Sequence, residues 1–198
     1  MSHKPHILAF AGSARVNSWN QKMLHIASEG ARLSGAIVTE IQLSDYSMPI
    51  YDGDLEAAEG IPKNARKLKA LLMENQGLLI ASPEYNSGYS PLIKNIIDWT
   101  SRQVPDKPKL RSFAGKTAIL MSASPGALGG LRGLIQLKQV LGNMDVLVLP
   151  QQVTLSRAAE AFTEDDEISI KEKHQDVMDL GKTLTKVLMG LQTVAEKT

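Results

Sequence analysis

The polar segment from Gly12 to Asn20 has the residue types of a phosphate-binding loop. It follows a short apolar run and leads into a helix capped by Ser18, where unpaired amides and the helix dipole favour an anion. Donors that suit phosphate oxygens are supplied by Ser13, Arg15, Ser18 and Asn20. The segment lacks the GxGxxG of a dinucleotide site and the GxxxxGK[ST] of a nucleotide P-loop. A single phosphate group therefore fits best, and the plain alternative is a capped helix start with a solvated arginine.

Two further polar segments follow the third and fourth predicted strands. The first combines a stiff backbone, an aromatic face and amide groups, which suit the edge of a flat heteroaromatic ring; its residues are Pro83, Glu84, Tyr85 and Asn86. The second is small and flexible enough to admit a planar ligand, and it contains Ser124, Pro125 and Gly126. The alternatives are a proline turn with Tyr85 packed in the core, and an ordinary glycine-rich turn.

Composition excludes several other kinds of chemistry. The chain has no cysteine, which excludes disulfides, zinc–thiolate sites, thiol catalysis and cysteine-ligated iron–sulfur clusters. Its four histidines are scattered without HExxH spacing, so we expect no metal site. A net charge of +1 argues against nucleic acid or an acidic membrane as the main ligand. We see no signal segment and no apolar stretch approaching the roughly 20 residues of a membrane span, and we expect a cytoplasmic protein.

Short apolar runs alternate with segments of helical periodicity, which predicts βαβ units and a parallel sheet. Five strands are predicted near 6–11, 37–43, 77–81, 117–121 and 145–149. Helices are predicted at 18–33, 61–75 and 131–141, at a position opening with Pro91, and at the carboxyl terminus. The run 77–81 is apolar on both faces and predicts a central strand. With no linker or repeat, we expect residues 1–198 to form one domain, whose ligand lies at the carboxyl ends of the strands.

Taken together, these segments resemble the NADPH-dependent FMN reductase family, which includes flavin, quinone, azo-dye and chromate reductases. The resemblance covers most of the chain and rests on GSARVNSWN, MPIYDGD, SPEYNSGYSPLIKNIIDW and SPGALGG. It implies a flavodoxin-like three-layer α/β/α sandwich with a five-stranded parallel sheet. The family's site residues can be carried over to the matching positions of this sequence. The FMN phosphate would then contact Ser13, Arg15, Ser18 and Asn20, and the edge of the ring would contact Pro83, Glu84, Tyr85 and Asn86. The third wall of the site would be formed by Ser124, Pro125 and Gly126. One departure is Ser90-Pro91-Leu92, where family members often carry Pro-Gly.

The resemblance implies an enzyme in which FMN accepts hydride from NADPH or NADH and then reduces a small acceptor such as a quinone, in ping-pong order. Because the cofactor performs such chemistry while the protein positions it, no catalytic side chain is expected. The alternative is a non-enzymatic electron carrier or a flavin-sensing binding module. Long carriers tend to be strongly acidic, and the balanced charge speaks against one. A hydrolase or methyltransferase is remote, because GxSxG and GxGxxG are both missing.

The resemblance also implies a homodimer or homotetramer in which loops of one subunit wall the flavin site of its neighbour. Candidates for that role are Tyr51, Asp52 and Tyr89, each with a solvated loop as the alternative. Trp99 ends an apolar helix face, so we expect it in the core or at a subunit contact. Trp19 either covers the phosphate segment or is simply half-buried. A basic stretch containing Lys107, Lys109 and Arg111 would attract the extra phosphate of NADPH, although a solvated loop is the commoner role for such a run.

Overall fold

A five-stranded parallel sheet forms the centre of the molecule, in a computed structural model that describes residues 4–103 and 112–195. Its five strands are β1 (His6–Ala11), β2 (Ile37–Ile41), β3 (Gly77–Ala81), β6 (Thr117–Ala123) and β7 (Leu147–Leu155). Two short strands, β4 (Glu84–Tyr85) and β5 (Gly88–Tyr89), form a separate two-stranded sheet. The helices are α1 (Trp19–Leu33), α2 (Gly53–Glu59), α3 (Lys63–Glu74), α4 (Pro91–Thr100), α5 (Leu131–Gly142), α6 (Ala158–Ala161) and α7 (Lys171–Ala195), with a 3-10 turn at Leu43–Tyr46. The basic stretch with Lys107, Lys109 and Arg111 lies outside the described residues.

The sheet order is β2-β1-β3-β6-β7, with every neighbouring pair parallel, so β3 is the central strand as predicted. Helices α1 and α7 pack on one face through side chains such as Leu24 and Leu184, and α3, α4 and α5 pack on the other. Both faces are therefore buried, which explains the unbroken apolar runs of β3 and β6. The predicted three-layer flavodoxin-like fold is confirmed.

Helices α1 and α7 approach each other closely because glycine occupies their crossing. A Cβ atom at Gly181 would lie 1.9 Å from the carbonyl oxygen of Ala27, and one at Gly30 would lie 2.0 Å from that of Met178. The hydroxyl of Thr185 donates to the carbonyl of Gly181 at 2.9 Å and fills the same seam. This contact fixes α7 against the helix whose amino end faces the candidate site.

The last strand of the sheet is longer than its sequence suggests. The predicted strand at 145–149 is present, but its bounds are wrong, because β7 begins at Leu147 and continues to Leu155. Its middle contains Pro150 and exposed glutamines, and the pairing with β6 shifts register between Ala118 and Leu120. An edge strand tolerates proline and polar residues because one of its sides has no partner strand. The apolar pattern therefore stops before the strand does.

Two segments predicted as loops contain regular structure. The carboxylate of Asp52 accepts hydrogen bonds from the amides of Asp54 (2.7 Å) and Leu55 (3.1 Å) and so starts α2. Strands β4 and β5 form an antiparallel hairpin whose turn residues, Asn86 (φ 51°) and Ser87 (φ 67°), both have the left-handed backbone of a type I′ turn. The segment after β3 is therefore a small, shaped projection rather than an irregular loop.

Smaller differences concern element ends. Strand β2 stops at Ile41, because the 3-10 turn begins at Leu43. Helix α3 occupies residues 63–74 within the predicted 61–75. Helix α7 buries Leu184 and Leu188, whereas Leu191, one turn further on, is 47% exposed. None of the helices within the described residues is long and apolar enough to cross a bilayer.

Candidate functional site

A cleft opens at the carboxyl ends of β1, β3 and β6, beside the point where the strand order reverses. The three polar segments meet there: every predicted site residue lines the cleft except Asn86 and Gly126, and Trp19 and Ala123 join them. Segments more than 100 residues apart in sequence are thus brought together by the parallel sheet.

One end of the cleft carries two buried serine hydroxyls at the start of α1. Ser18 is the N-cap and accepts from the amide of Gln21 at 3.4 Å, while Ser13 accepts from the amide of Arg15 at 3.3 Å. A hydroxyl that accepts one hydrogen bond still has its own hydrogen to donate. Within residues 4–103 and 112–195 neither serine gives that hydrogen to a protein atom. Both are suited to an anion at the helix amino terminus.

Arg15 adds a positive charge at the same end. Its side chain is exposed, and the guanidinium carbon lies 5.5 Å from the ring centroid of Trp19, a cation–π contact. It makes no ion pair with a carboxylate in the described part of the chain. Trp19 is half-buried and also lines the cleft, so it both covers this end and holds Arg15 above it.

Asn20 connects two walls of the cleft. Its side-chain nitrogen donates to the carbonyl of Ala123 at 2.8 Å, and its side-chain oxygen accepts from the amide of Ala123 at 3.0 Å. The side chain is buried, and the pair of bonds joins the first turn of α1 to the end of β6. One hydrogen of the Asn20 amide is left for a ligand. The residue is therefore a structural bridge as well as a candidate phosphate donor.

The hairpin forms the second wall, and its residues have different roles. Pro83 is buried at its base, whereas Tyr85 is 47% exposed and presents its ring at the cleft rather than packing in the core. Asn86 is the exposed first residue of the turn and lies outside the cleft lining. The carboxylate of Glu84 accepts from the amide of Gly133, at 3.1 Å, in the first turn of α5.

The third wall is the small-residue loop between β6 and α5. The amide of Ser124 donates to the carbonyl of Leu155, and the carbonyl of Ser124 accepts from the amide of Ala158, which ties the start of the loop to the end of β7. The hydroxyl of Ser124 accepts from the amide of Gly126 at 3.3 Å. Beyond it, residues 125–128 are exposed. The loop is thus anchored at its base, and its tip leaves one side of the cleft open.

Sequence reasoning missed what the KNIIDW segment does. The side chain of Asn95 donates to the carbonyl of Pro49 (2.9 Å) and accepts from the amide of Tyr51 (2.8 Å), while the indole nitrogen of Trp99 donates to the same Pro49 carbonyl (2.8 Å). Trp99 is fully buried, as predicted, and meets the ring of Tyr51 edge-on at 5.0 Å. The KNIIDW segment therefore holds the MPIYDGD segment in place. The presence of both motifs in one sequence was the signal that could have suggested this contact.

Of the three loop residues predicted to wall a neighbouring site, Tyr51 and Asp52 have side-chain hydrogen-bond partners within their own chain. The hydroxyl of Tyr51 donates to Glu56 at 2.9 Å and accepts from Arg102 at 3.3 Å, and the Glu56 bond raises the pKa of Tyr51. Asp52 caps α2. Tyr89 is half-buried in the hairpin, and burial raises its pKa.

The fold and the cleft define a flavodoxin-like class of protein, in which a ligand is held by loops at the carboxyl edge of a parallel sheet. The sequence profile of the family described as "NADPH-dependent FMN reductase" matches residues 5–160, and the chain belongs to that family. It is 35% identical over 164 residues to an NAD(P)H-dependent FMN reductase of Pseudomonas aeruginosa, covering 82% of this chain and 83% of that protein. It is 32% identical over 149 residues to a quinone reductase of Escherichia coli, covering 75% and 76%.

Solved structures support the same fold. The flavoenzyme FerB, an NAD(P)H:acceptor oxidoreductase from Paracoccus denitrificans, superposes with a TM-score of 0.74 at 23% identity, covering 93% of this chain and 97% of that one. Family membership makes the chain an enzyme of the NAD(P)H-dependent FMN reductase and quinone reductase type, rather than the electron carrier considered as an alternative. The family uses NAD(P)H and flavin, and membership of it implies a small electron acceptor such as a quinone.

Proposed function

We propose that this enzyme binds FMN in the cleft and uses NADPH or NADH to reduce a quinone or a similar small acceptor. One observation carries the proposal: a single cleft has anion-binding donors at one end and an exposed aromatic side chain at another wall. The donors are the hydroxyls of Ser13 and Ser18 with the guanidinium of Arg15, and the aromatic side chain is Tyr85. These are the groups that a phosphate monoester linked to a flat ring would require.

The charges of the cleft suit such a dianion. Glu84 is the acidic residue of the cleft lining, and one of its carboxylate oxygens already accepts a hydrogen bond from the amide of Gly133. Arg15 brings the opposite charge without a carboxylate partner among the described residues. Within the cleft lining, a phosphate would therefore meet donors at the α1 end, and the carboxylate of that lining, Glu84, is already hydrogen-bonded.

FMN, when bound, supplies the hydride and electron transfer, so the residues of this chain bind, orient and leave access. Asn20 keeps the α1 end and the β6 end at a fixed separation through its paired bonds to Ala123. The exposed loop tip at 125–128 leaves one side of the cleft uncovered. We propose that the reduced nicotinamide and the acceptor use that side in turn, because two flat molecules cannot occupy it together.

Initial-rate kinetics test the shared side. Rates measured against NADPH at several fixed quinone concentrations should give parallel double-reciprocal lines, and high quinone should inhibit competitively with NADPH. Intersecting lines, together with product inhibition that requires a ternary complex, would contradict alternating use of one side.

We further propose that residues 1–198 act as one domain in a homodimer or homotetramer in the cytoplasm, where the nicotinamide donor is available. Large apolar side chains remain exposed on segments that follow the strands β2, β3 and β6: Ile50 (85%), Tyr85 (47%) and Leu128 (45%). We propose that they contribute to one apolar patch, because contiguous exposed apolar patches are typical of interaction sites. Light scattering on the flavin-loaded protein should give at least a dimer. A monomer that keeps its flavin fully bound would contradict a site shared between subunits.

A further inference from the structure

We propose that Glu84 is a positioning residue that joins two walls of the cleft by capping α5 from the hairpin. This inference rests on the proposed function, because it assigns Glu84 a task in shaping a flavin site. It differs from the role that the family resemblance implies, in which Glu84 contacts the edge of the flavin ring directly. The carboxylate instead bonds to the backbone of the neighbouring wall.

Helix α5 has no cap of its own. Its N-cap residue is Gly130, which has no side chain, and its backbone is left-handed at φ 95°. A Cβ atom there would lie 1.9 Å from the hydroxyl oxygen of Ser122, so a capping serine or aspartate cannot replace the glycine. The first-turn amides still need acceptors. An external group must therefore do what an N-cap side chain ordinarily does.

Glu84 supplies that acceptor. Its carboxylate oxygen lies 3.1 Å from the amide nitrogen of Gly133, the third residue of α5 and an amide that an N-cap side chain commonly satisfies. Its negative charge also sits at the positive end of the helix dipole. The bond spans 49 residues and connects the hairpin, which forms one wall, to the helix that directly follows the small-residue wall.

The rest of the hairpin is held to α5 at its turn. The guanidinium of Arg132 donates to the hydroxyl of Ser87 at 3.3 Å, and the side chain of Gln136 donates to the carbonyl of Ser87 at 3.0 Å. Both contacts lie at the tip, outside the cleft lining. Glu84 fixes the base of the hairpin, between Pro83 and Tyr85, where the cleft is lined. Its removal should loosen the ring end of the site while the α1 end stays as it is.

This placement predicts a particular pattern of flavin affinity. Riboflavin has the ring of FMN without the phosphate, so a change at the ring end should weaken both ligands by the same factor. A change at the α1 end should weaken FMN alone. Losing a hydrogen bond to a charged group commonly weakens binding or folding by one to two orders of magnitude. Because Glu84 acts through α5, we expect Glu84→Ala to weaken both flavins about ten-fold.

The experiment titrates flavin-free wild type, Glu84→Ala and Glu84→Gln with FMN and with riboflavin, and follows amide hydrogen exchange at Gly133 by NMR. Glu84→Ala should weaken both flavins equally and speed exchange at Gly133. Glu84→Gln keeps an acceptor oxygen and should recover most of the affinity and of the protection. Glu59→Ala removes an exposed glutamate from α2, away from the cleft, and should leave the affinity for both flavins unchanged. If Glu84→Ala does not fold, Glu84→Asp, one methylene shorter, takes its place in the same comparison.

Several outcomes would overturn the proposal. Wild-type affinity in Glu84→Ala, with faster exchange at Gly133, would show a cap that does not shape the site. Weakening of FMN alone would move Glu84 to the phosphate end. Equal losses in Glu84→Ala and Glu84→Gln, with Gly133 still protected in Glu84→Gln, would mean that the charge itself meets the ligand. If wild type binds neither flavin, the proposed function fails, and the positioning role fails with it; that outcome is distinct because it does not depend on Glu84.

Discussion

The buried ammonium group of Lys116 should make the stability of this enzyme depend on pH. Lys116 precedes β6, is 6% exposed, and donates from its side-chain nitrogen to the carbonyl of Asn75. Burial lowers the pKa of Lys116 from 10.5 to about 8. Below pH 8 the folded protein must keep a charge in a poorly solvated place, whereas the unfolded chain keeps it in water. The charged lysine therefore destabilises the fold at neutral pH.

The direction and size of the effect follow from proton linkage. Between pH 8 and 10.5 the unfolded chain binds more protons at this residue than the folded protein, so stability rises with pH across that window. Each pKa unit corresponds to about 1.4 kcal/mol. The full shift from 10.5 to about 8 would give roughly 3 kcal/mol, and partial access of solvent should reduce the gain to about 2 kcal/mol.

Urea unfolding of wild type and Lys116→Met, followed by circular dichroism from pH 7 to 10.5, measures this gain. The free energy of unfolding of wild type, taken relative to Lys116→Met, should increase by about 2 kcal/mol over that range. Other groups titrate in both proteins and cancel in the difference. Lys67→Met, at an exposed position of α3, should differ from wild type by a constant amount. A constant difference for Lys116→Met as well would refute the lowered pKa.

Three further changes have definite expected results. Arg15→Ala should weaken FMN by about ten- to a hundred-fold and leave riboflavin unaffected, measured by fluorescence titration; equal FMN affinity would remove Arg15 from the site. Ser87→Gly should raise the free energy of unfolding by roughly 0.5–1 kcal/mol, because φ is 67° there; a loss would mean that the Arg132 contact matters more. Gly181→Ala should lower the free energy of unfolding by about 2–4 kcal/mol, because the added Cβ meets the Ala27 carbonyl. An unchanged thermal midpoint would contradict that packing.

How far the fold could be predicted depended on burial. Strands such as β3 lie between two helical layers, so their apolar runs are unbroken and easy to recognise. Strand β7 is at the edge and carries Pro150, Gln151 and Gln152, and its pattern resembles a loop after Leu149. The hairpin has two residues in each strand, which is too short for an alternating pattern. Its only sequence signal is the turn-forming run from Asn86 to Gly88.

The meeting of the three polar segments at one cleft was predictable in the same way, but the hydrogen-bond partners of their side chains were not. Loops that follow parallel strands must meet at one edge of the sheet, so the sequence indicates which segments come together. It does not indicate that the Asn20 amide bonds to both backbone groups of Ala123, or that Glu84 reaches Gly133. Those bonds depend on helix position and side-chain rotamer after folding. Residue type alone suggested ligand contacts in both cases.

FMN held in the cleft should be reduced there by NADPH. The most direct measurement adds FMN to the flavin-free protein, removes the excess, and records the visible spectrum before and after NADPH is added without oxygen. The bound flavin should give the yellow spectrum of the oxidised form, NADPH should bleach it, and a quinone added after the NADPH is consumed should restore the colour. Failure to retain FMN, or retained FMN that NADPH leaves yellow, would contradict a cleft in which NADPH reduces bound FMN.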